Sequence, residues 1–587
     1  MEKWVVSAKK ADFKKISSQF NIDQVTARII RNRDILGEEA ITEYLHGTRA
    51  HLHAPKKMKD MERATTILQE KIQKKKKIRI IGDYDIDGIQ STYILYSALH
   101  ACGAQIDYAI PDRITDGYGI NERLVRQASD DGVDTILTCD NGIAAAKELS
   151  LAKELGMAVI VTDHHEVPFE ETQGGERVFH IPPADAVVNP KQPDCPYPFK
   201  ELCGAAVAFK LVQALYEKEG LPPEQSWAYL ENAAFATVGD VMPLIGENRI
   251  LVKEGLKALN QTKNFGIRAL AARNQIELGK IKAYHIGFVL GPCLNASGRL
   301  DTAQRALKML LAENEYIAAE YAGDLYDLNV SRKEMTEQGV QRAVELVEQG
   351  SLKKDKVLVI YLPGCHESLA GIIAGRIRER YHRPVFLLTK SEDGVKGSGR
   401  SIESYSMYEE MTKCKELFTK FGGHPMAAGL SLPEQNVDLF RQKLNEYTTL
   451  TEEELRGKIV IDVPMPLDYI SKPLVEELNI LEPFGKSNEK PVFADKNIQI
   501  LSMGIFGKNQ NVCRMQVRSQ GGTTLSAVYF GQVGQFLDFL TEKYGEGAVG
   551  RAMAGQGGEM LVSFIYYPEI NVFNGKESLQ IIVKNYC

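Results

Sequence analysis

The stretch Ile81-Gly-Asp-Tyr-Asp-Ile-Asp-Gly88 follows directly on the apolar run Ile78-Arg79-Ile80. If the backbone stays extended, Asp83, Asp85 and Asp87 stand at alternating positions and project their carboxylates to one side. Mutual repulsion there makes full ionisation costly without a cation. The pattern points to a divalent metal site at a strand exit. The plainer reading of the same residues is a solvated Asp-rich turn closing on Gly88.

Outward from this stretch, residues 78–190 alternate short apolar strands with helical segments. Strands are expected at residues 78–81, 106–110, 135–138 and 158–161, with helices between them at 91–101 and 144–155. Strand, helix, strand at this spacing implies a parallel sheet with right-handed crossovers, whose ligands collect beyond the carboxyl ends of the strands. The polar residues follow that rule. One strand runs into Asp83, Asp85 and Asp87, a later one into Cys139-Asp140-Asn141-Gly142, and the next into Thr162-Asp163-His164-His165. Singly, Asp140 reads as a helix cap and the two histidines as a surface pair. Three strands delivering carboxylate or imidazole to one rim favour a catalytic site for manganese or magnesium instead. Neighbouring side chains of an extended segment point to opposite sides. His164 is therefore expected as the ligand, Asp163 as its orienting partner, and His165 as a substrate or proton partner.

Composition bounds the remainder. A chain of 587 residues exceeds one core and should divide into about three or four domains. No apolar run reaches the roughly 20 residues needed to span a bilayer, and the start lacks a signal-peptide core, so a cytoplasmic protein without a membrane partner is expected. Nine dispersed cysteines without Cys-x-x-Cys pairs fit a reducing compartment and argue against structural zinc. A net charge of −6 excludes a generally basic nucleic-acid coat but leaves room for a local basic groove.

Asp-Tyr-Asp-Ile-Asp-Gly, Cys-Asp-Asn-Gly and Asp-His-His, in this order, resemble the DHH phosphoesterase superfamily, and within it the RecJ branch of single-strand-specific exonucleases. Further motifs share the resemblance: Ile110-Pro-Asp-Arg113 with Gly117-Tyr-Gly119, Val238-Gly-Asp-Val-Met-Pro243, Leu294-Asn-Ala-Ser-Gly-Arg299, Gly397-Ser-Gly-Arg-Ser401 and Gly422-Gly-His-Pro-Met-Ala-Ala-Gly429. The resemblance implies two divalent cations, manganese or magnesium. Asp85 belongs to one, Asp87, His164 and Asp240 to the other, and Asp140 bridges them, with Asp83 behind. It implies catalytic roles for Asp163, His165 and Arg299, the last clamping the scissile phosphate. It implies substrate contacts by Arg113, Asn295, Ser398, Arg400 and His424, with the Gly-Ser-Gly-Arg loop and Arg113 capping the 5′ phosphate. Many superfamily members carry a histidine ligand where this chain has Ile81, which leaves one cation with fewer protein ligands.

The expected architecture is α/β and multidomain. It comprises an N-terminal helical region (1–70), a parallel-sheet DHH domain (71–300), a long connecting helix or pair of helices (301–350), a smaller α/β DHH-associated domain (351–450) and a C-terminal β-barrel of the OB type (451–587). In that barrel Lys508, Arg514, Arg518, Tyr529 and Phe573 are candidates for gripping a single strand. Gly364-Cys-His-Glu-Ser-Leu-Ala-Gly371 reads as a strand-to-helix turn suited to an anion. Its adjacent Cys365 and His366 do not make a catalytic dyad. The basic run at Lys71 and Lys74 to Lys77 reads as a solvated helix end. The leading expectation is a monomeric, metal-dependent 5′ to 3′ exonuclease releasing mononucleotides from single-stranded DNA in recombination and repair, alongside a helicase and a single-strand-binding protein. A DHH phosphodiesterase acting on very short RNAs or cyclic dinucleotides has no need of the barrel. A silent scaffold at a replication complex has no need of the ligand set.

Overall fold

A computed structural model of the chain describes residues 2–172, 175–392 and 394–587. Its contacts divide it into two compact units: Thr48–Leu455, and the residues up to Gly47 together with Arg456–Cys587.

The first unit opens on a five-stranded sheet in the order Gln105–Ala109, Lys77–Ile81, Thr135–Cys139, Ala158–Thr162, Ala186–Val188, with every neighbouring pair parallel. Helices cover both faces, which is why Ile78, Ile80 and Ile81 are all fully buried. Arg79 is tolerated within this run because its guanidinium pairs with both oxygens of Asp107 on the next strand at 2.7 Å, and with Asp131 at 2.8 Å. The second strand in sequence lies on one side of the first and the third on the other. The order therefore reverses between Lys77–Ile81 and Thr135–Cys139, where a crevice opens beyond the carboxyl ends. Helix Gly204–Lys218 packs on Ile86–Ala101, and Leu230–Gly239 packs against both.

The connecting segment is a pair of helices, Gln304–Leu310 and the 35-residue Glu315–Gln349. It leads to a mixed sheet in the order Lys420–His424, Ala427–Leu432, Gly394–Arg400, Val385–Ser391, Leu358–Tyr361, in which only the last pair is parallel. Of the basic run, Lys71 to Lys76 form a solvated helix end with local partners, Lys71 on Asp134 and Lys75 on the Gly103 carbonyl, and Lys77 opens the strand Lys77–Ile81.

In the second unit, Phe493–Phe506, Val512–Arg518, Thr524–Phe530, Lys576–Tyr586 and Met560–Phe573 pair in that sequence, and the last returns to the first, closing a barrel around Phe493, Phe536, Phe564 and Tyr566. Residues 1–70, expected as a region of their own, are divided between the units. Strand Lys3–Val6 pairs in parallel with Lys458–Ile461, and Ile29, Ile30 and Leu45 share the barrel's apolar core. Helix Met61–Gln73 instead buries Met61, Leu68 and Ile72 with Ile78 of the parallel sheet. Among the described residues no helix is long and apolar enough to cross a membrane.

Candidate active site

The chain does not stay extended through Asp83, Asp85 and Asp87. Helix Ile86–Ala101 starts at once, with Asp85 as its N-cap: Asp85 Oδ1 accepts from the backbone N–H groups of Asp87 (3.0 Å) and Gly88 (3.1 Å). The convergence expected from strand alternation is made by a strand-to-helix turn instead. Gly88 permits it, since a Cβ there would lie 2.4 Å from the Asp83 carbonyl oxygen. Asp87, inside the first turn, accepts from the N–H groups of Gly204 (2.6 Å) and Ala205 (2.7 Å) at the positive end of helix Gly204–Lys218.

Asp140 leaves its strand with φ of +60°, a left-handed conformation that turns its side chain back over the crevice. The Nε2 of His164 lies 3.1 Å from Asp140 Oδ1, 3.5 Å from Asp87 Oδ2 and 3.9 Å from Asp240 Oδ2, the last at the end of helix Leu230–Gly239. Ligand atoms thus fall into overlapping groups within 4.8 Å: Asp83, Asp85 and Asp140; Asp87, His164 and Asp240; and Asp140, His164 and His165. Asp140 belongs to the first and the last and its Oδ1 closely approaches His164 of the second.

Asp83, Asp87 and Asp140 are 0–2% exposed. Burial, with Asp85 alongside, pushes Asp83 up to about 8. Burial and then Asp87 raise Asp85, and burial with the charges of Asp87, Asp85 and Asp83 lifts Asp140 well above the carboxylate range. Among the described residues the buried oxygens Asp83 Oδ2 and Asp140 Oδ1 have no hydrogen-bond partner. Crowded, dry acceptors with no donor are a fit for hard divalent cations, which restore the charged form. Ile81 is buried in the sheet and adds nothing to this set.

Asp163 supports a different histidine from the one expected. Its Oδ1 accepts from the backbone N–H groups of His164 (2.7 Å) and His165 (3.1 Å) and lies 2.8 Å from the His165 ring Nδ1, while Oδ2 accepts from the Ile143 N–H (2.9 Å). Burial pulls His165 down, but the Asp163 hydrogen bond and charge outweigh it and lift the imidazole to about 9. Asp163 is correspondingly held low against its own burial, and burial keeps His164 below the ordinary imidazole value. Tyr118, from the Gly117-Tyr-Gly119 motif, donates its hydroxyl to the Asp140 carbonyl at 2.5 Å and sets its ring edge on His165. Flanking Gly117 and Gly119, both at positive φ, are the signal that marked it.

Beside this cluster lies a cleft of about 760 Å³ lined by Tyr84, Arg113, Arg299, Ser398 and Arg400 among others. Arg113 stacks over the Tyr84 ring at 4.6 Å. Arg299 donates to the Ser368 carbonyl at 2.6 Å, and burial together with Arg113 and Arg332 brings it down to about 10. Gly397-Ser-Gly-Arg400, expected as a loop, is strand, paired on both sides. Its glycines serve packing: a Cβ on Gly397 would meet Leu388 at 2.3 Å, and one on Gly399 would meet Met407 at 2.7 Å. Ser398 and Arg400 share a face by strand alternation, with Arg400 donating to the Ser398 hydroxyl at 3.0 Å. Lys396, two residues earlier, and Lys420 also line the cleft and were missed, although the spacing Lys-x-Ser-x-Arg carries period two. Five cations therefore face one carboxylate, Glu367, which pairs with Lys396 at 3.0 Å. Two expected substrate residues stand elsewhere. Asn295 spends its side-chain carbonyl on the Ile86 N–H, fixing the start of that helix, and His424 is exposed at a strand end and does not line the cleft.

Three family models match the chain: the DHH family N-terminal domain over residues 77–237, the DHHA1 domain over 354–449 and the RecJ OB domain over 461–585. The single-stranded-DNA-specific exonuclease RecJ of Escherichia coli is 35% identical, over 89% of this chain and 90% of that protein. The protein of the same name from Bacillus subtilis is 34% identical over 99% of this chain and 70% of its own length. Among solved structures, RecJ of Thermus thermophilus in complex with Mn2+ matches all of this chain and 79% of that one, with a TM-score of 0.81 and 27% identity.

Proposed function

We propose, from the premise that the chain belongs to the RecJ family, that it is a metal-dependent exonuclease that removes mononucleotides from the 5′ end of single-stranded DNA. The observation that carries this reading is the pairing of a dry carboxylate cluster at the sheet's switch point with a cationic cleft beside it. Asp83, Asp85 and Asp140 would hold one cation, and Asp87, His164 and Asp240 the other, with Asp140 shared. Such cations supply Lewis acidity and lower the pKa of a bound water.

The protein's own groups do the rest. Arg400 and Ser398, with Arg113, grip a terminal phosphate, and the Arg299 fork takes the non-bridging oxygens of the next one. His165, whose ring Nδ1 lies 2.8 Å from Asp163, is placed to exchange a proton with the departing 3′ oxygen. A terminal-phosphate site at a fixed distance from the cluster admits an end and sets the cut one nucleotide in. The barrel serves as a separate grip on the strand, with Phe573, 71% exposed, and Arg514 as its accessible candidates, whereas Tyr529 packs against Phe536 and Tyr586.

The same reading takes in a monomeric cytoplasmic enzyme of recombination and repair, fed with single strands by a helicase and a single-strand-binding protein. Oligonucleotides labelled at either end, single or double stranded, are incubated with Mn2+ or Mg2+ and product lengths followed. Mononucleotides from the 5′ end of single strands alone are expected. Full manganese-dependent activity in Asp140→Ala refutes the site.

A further inference from the structure

A second cavity, of about 650 Å³, is lined by the last turns of the long helix from Met335, by Gly350 after it, and by residues 361–369 at and beyond the end of strand Leu358–Tyr361. That strand runs parallel to Val385–Ser391, and ligands of such pairs gather beyond their carboxyl ends. None of the groups proposed for phosphodiester cleavage lines it.

Its walls combine apolar, amide and guanidinium surface with one carboxylate, Glu345, which accepts from the Gln341 side chain at 3.3 Å. Leu346, Leu362 and Leu369 are apolar, and Leu346 remains 43% exposed although it faces a cavity. Gln338 and Gln349 offer primary amides, which match the hydrogen-bonding edges of a base. Arg342 offers a guanidinium that makes no ion pair or hydrogen bond among the described residues, though its charge reaches the Cys365 thiol. A free planar fork is suited to phosphate, and the volume lies within the roughly 300–1,000 Å³ of small-ligand sites.

We propose that this cavity is a second nucleotide site, which takes a nucleoside 5′-monophosphate with its phosphate on Arg342 and its base against Leu346 and Leu362. The inference rests on the exonuclease reading, because that reaction releases this chemical class. The cavity is wired to the cleft by covalent continuity. His366, which lines the cavity, accepts from the Ser368 N–H, and the Ser368 carbonyl holds Arg299. A ligand that settles residues 361–369 therefore acts on Arg299, and accumulated product slows the enzyme from a place other than the cleft.

Equilibrium dialysis of labelled dAMP against the full-length protein tests it. Two equivalents are expected to bind. Arg342→Ala should lose one, as should Leu346→Trp, which fills the cavity, and Arg400→Ala should lose the other. Arg342→Ala should also keep the initial rate on single strands and the melting temperature while losing inhibition by added dAMP. A single equivalent that Arg400→Ala abolishes and Arg342→Ala leaves intact overturns the inference and leaves the cleft assignment standing. A single equivalent abolished by Arg342→Ala and Leu346→Trp but untouched by Arg400→Ala overturns the cleft assignment and supports the cavity.

Discussion

Replacing Gly204 by alanine should silence the enzyme without unfolding it. Gly204 begins helix Gly204–Lys218, donates its N–H to Asp87 and lies against Asp140. A Cβ at this position would sit 2.7 Å from the Asp140 Cβ and 3.0 Å from its Cα. The first distance is about 0.7 Å short of the 3.4 Å at which ordinary contact begins. Neither partner is the free end of a flexible side chain, so the shift falls on the backbone of Asp140, on the helix start, or on both. Asp140 already occupies a left-handed conformation with little latitude. Overpacking of this kind costs about 1–3 kcal/mol, partly offset because alanine favours a helix over glycine by about 1 kcal/mol. Displacement of a catalytic group by about 1 Å costs on the order of 100-fold in rate. Turnover of 5′-labelled single strands in saturating Mn2+ should therefore fall about 100-fold, while the circular dichroism spectrum is kept and the melting temperature drops by no more than a few degrees. Activity within about fivefold of the parent, with an intact fold, would show that Asp140 is not positioned by this contact and would remove it as the shared ligand.

Three other outcomes follow from the same geometry. Saturating Mn2+ should raise the melting temperature of the parent, the linkage being worth about 2.7 kcal/mol at 100 times the dissociation constant. In Asp140→Asn the metal response should largely vanish, while melting in EDTA stays close to that of the parent, because burial and the neighbouring carboxylates already hold Asp140 in its uncharged form when no metal is bound. Arg400→Ala should erase a preference of about 10–100-fold for 5′-phosphorylated over 5′-hydroxyl strands, the equivalent of a charged hydrogen bond of about 1.5–3 kcal/mol. Arg400→Lys keeps only part of that preference, and equal KM values for the two substrates in the parent would refute the assignment. In metal-free protein His165 titrates at about 9 against an ordinary 6.5. Its raised value means that the protonated ring favours the fold, a contribution complete below about pH 6.5 and lost as the pH rises through about 9. Urea unfolding in EDTA should thus show Asp163→Asn weaker than the parent near neutrality, with the gap narrowing above about pH 9. A gap independent of pH would detach Asp163 from His165.

The sheet was legible because burial on both faces writes uninterrupted apolar runs, and the four strands read from the sequence fall within one residue of those found at Lys77–Ile81, Gln105–Ala109, Thr135–Cys139 and Ala158–Thr162. The rim was legible because polar residues at strand ends have few places to go. What period-two reasoning could not see was where the period stops. Asp85 is a helix cap and Asp87 lies within the helix, so their shared direction depends on a turn whose geometry is set by Gly88 and by a helix that begins at residue 204. The opposite error occurred at Gly397-Ser-Gly-Arg400. Glycines suggested a loop, but here they remove side chains that Leu388 and Met407 would strike, and the alternation that was withheld from this segment is what aligns Lys396, Ser398 and Arg400. Asn295 misled for a related reason, since a polar residue beside a catalytic motif can be consumed by the backbone of that motif. For Asp87 and Asn295 the missing information is long range. Side chains near an active centre divide between binding substrate and holding the binders still, and only the identity of the group opposite, often more than a hundred residues away, decides between the two.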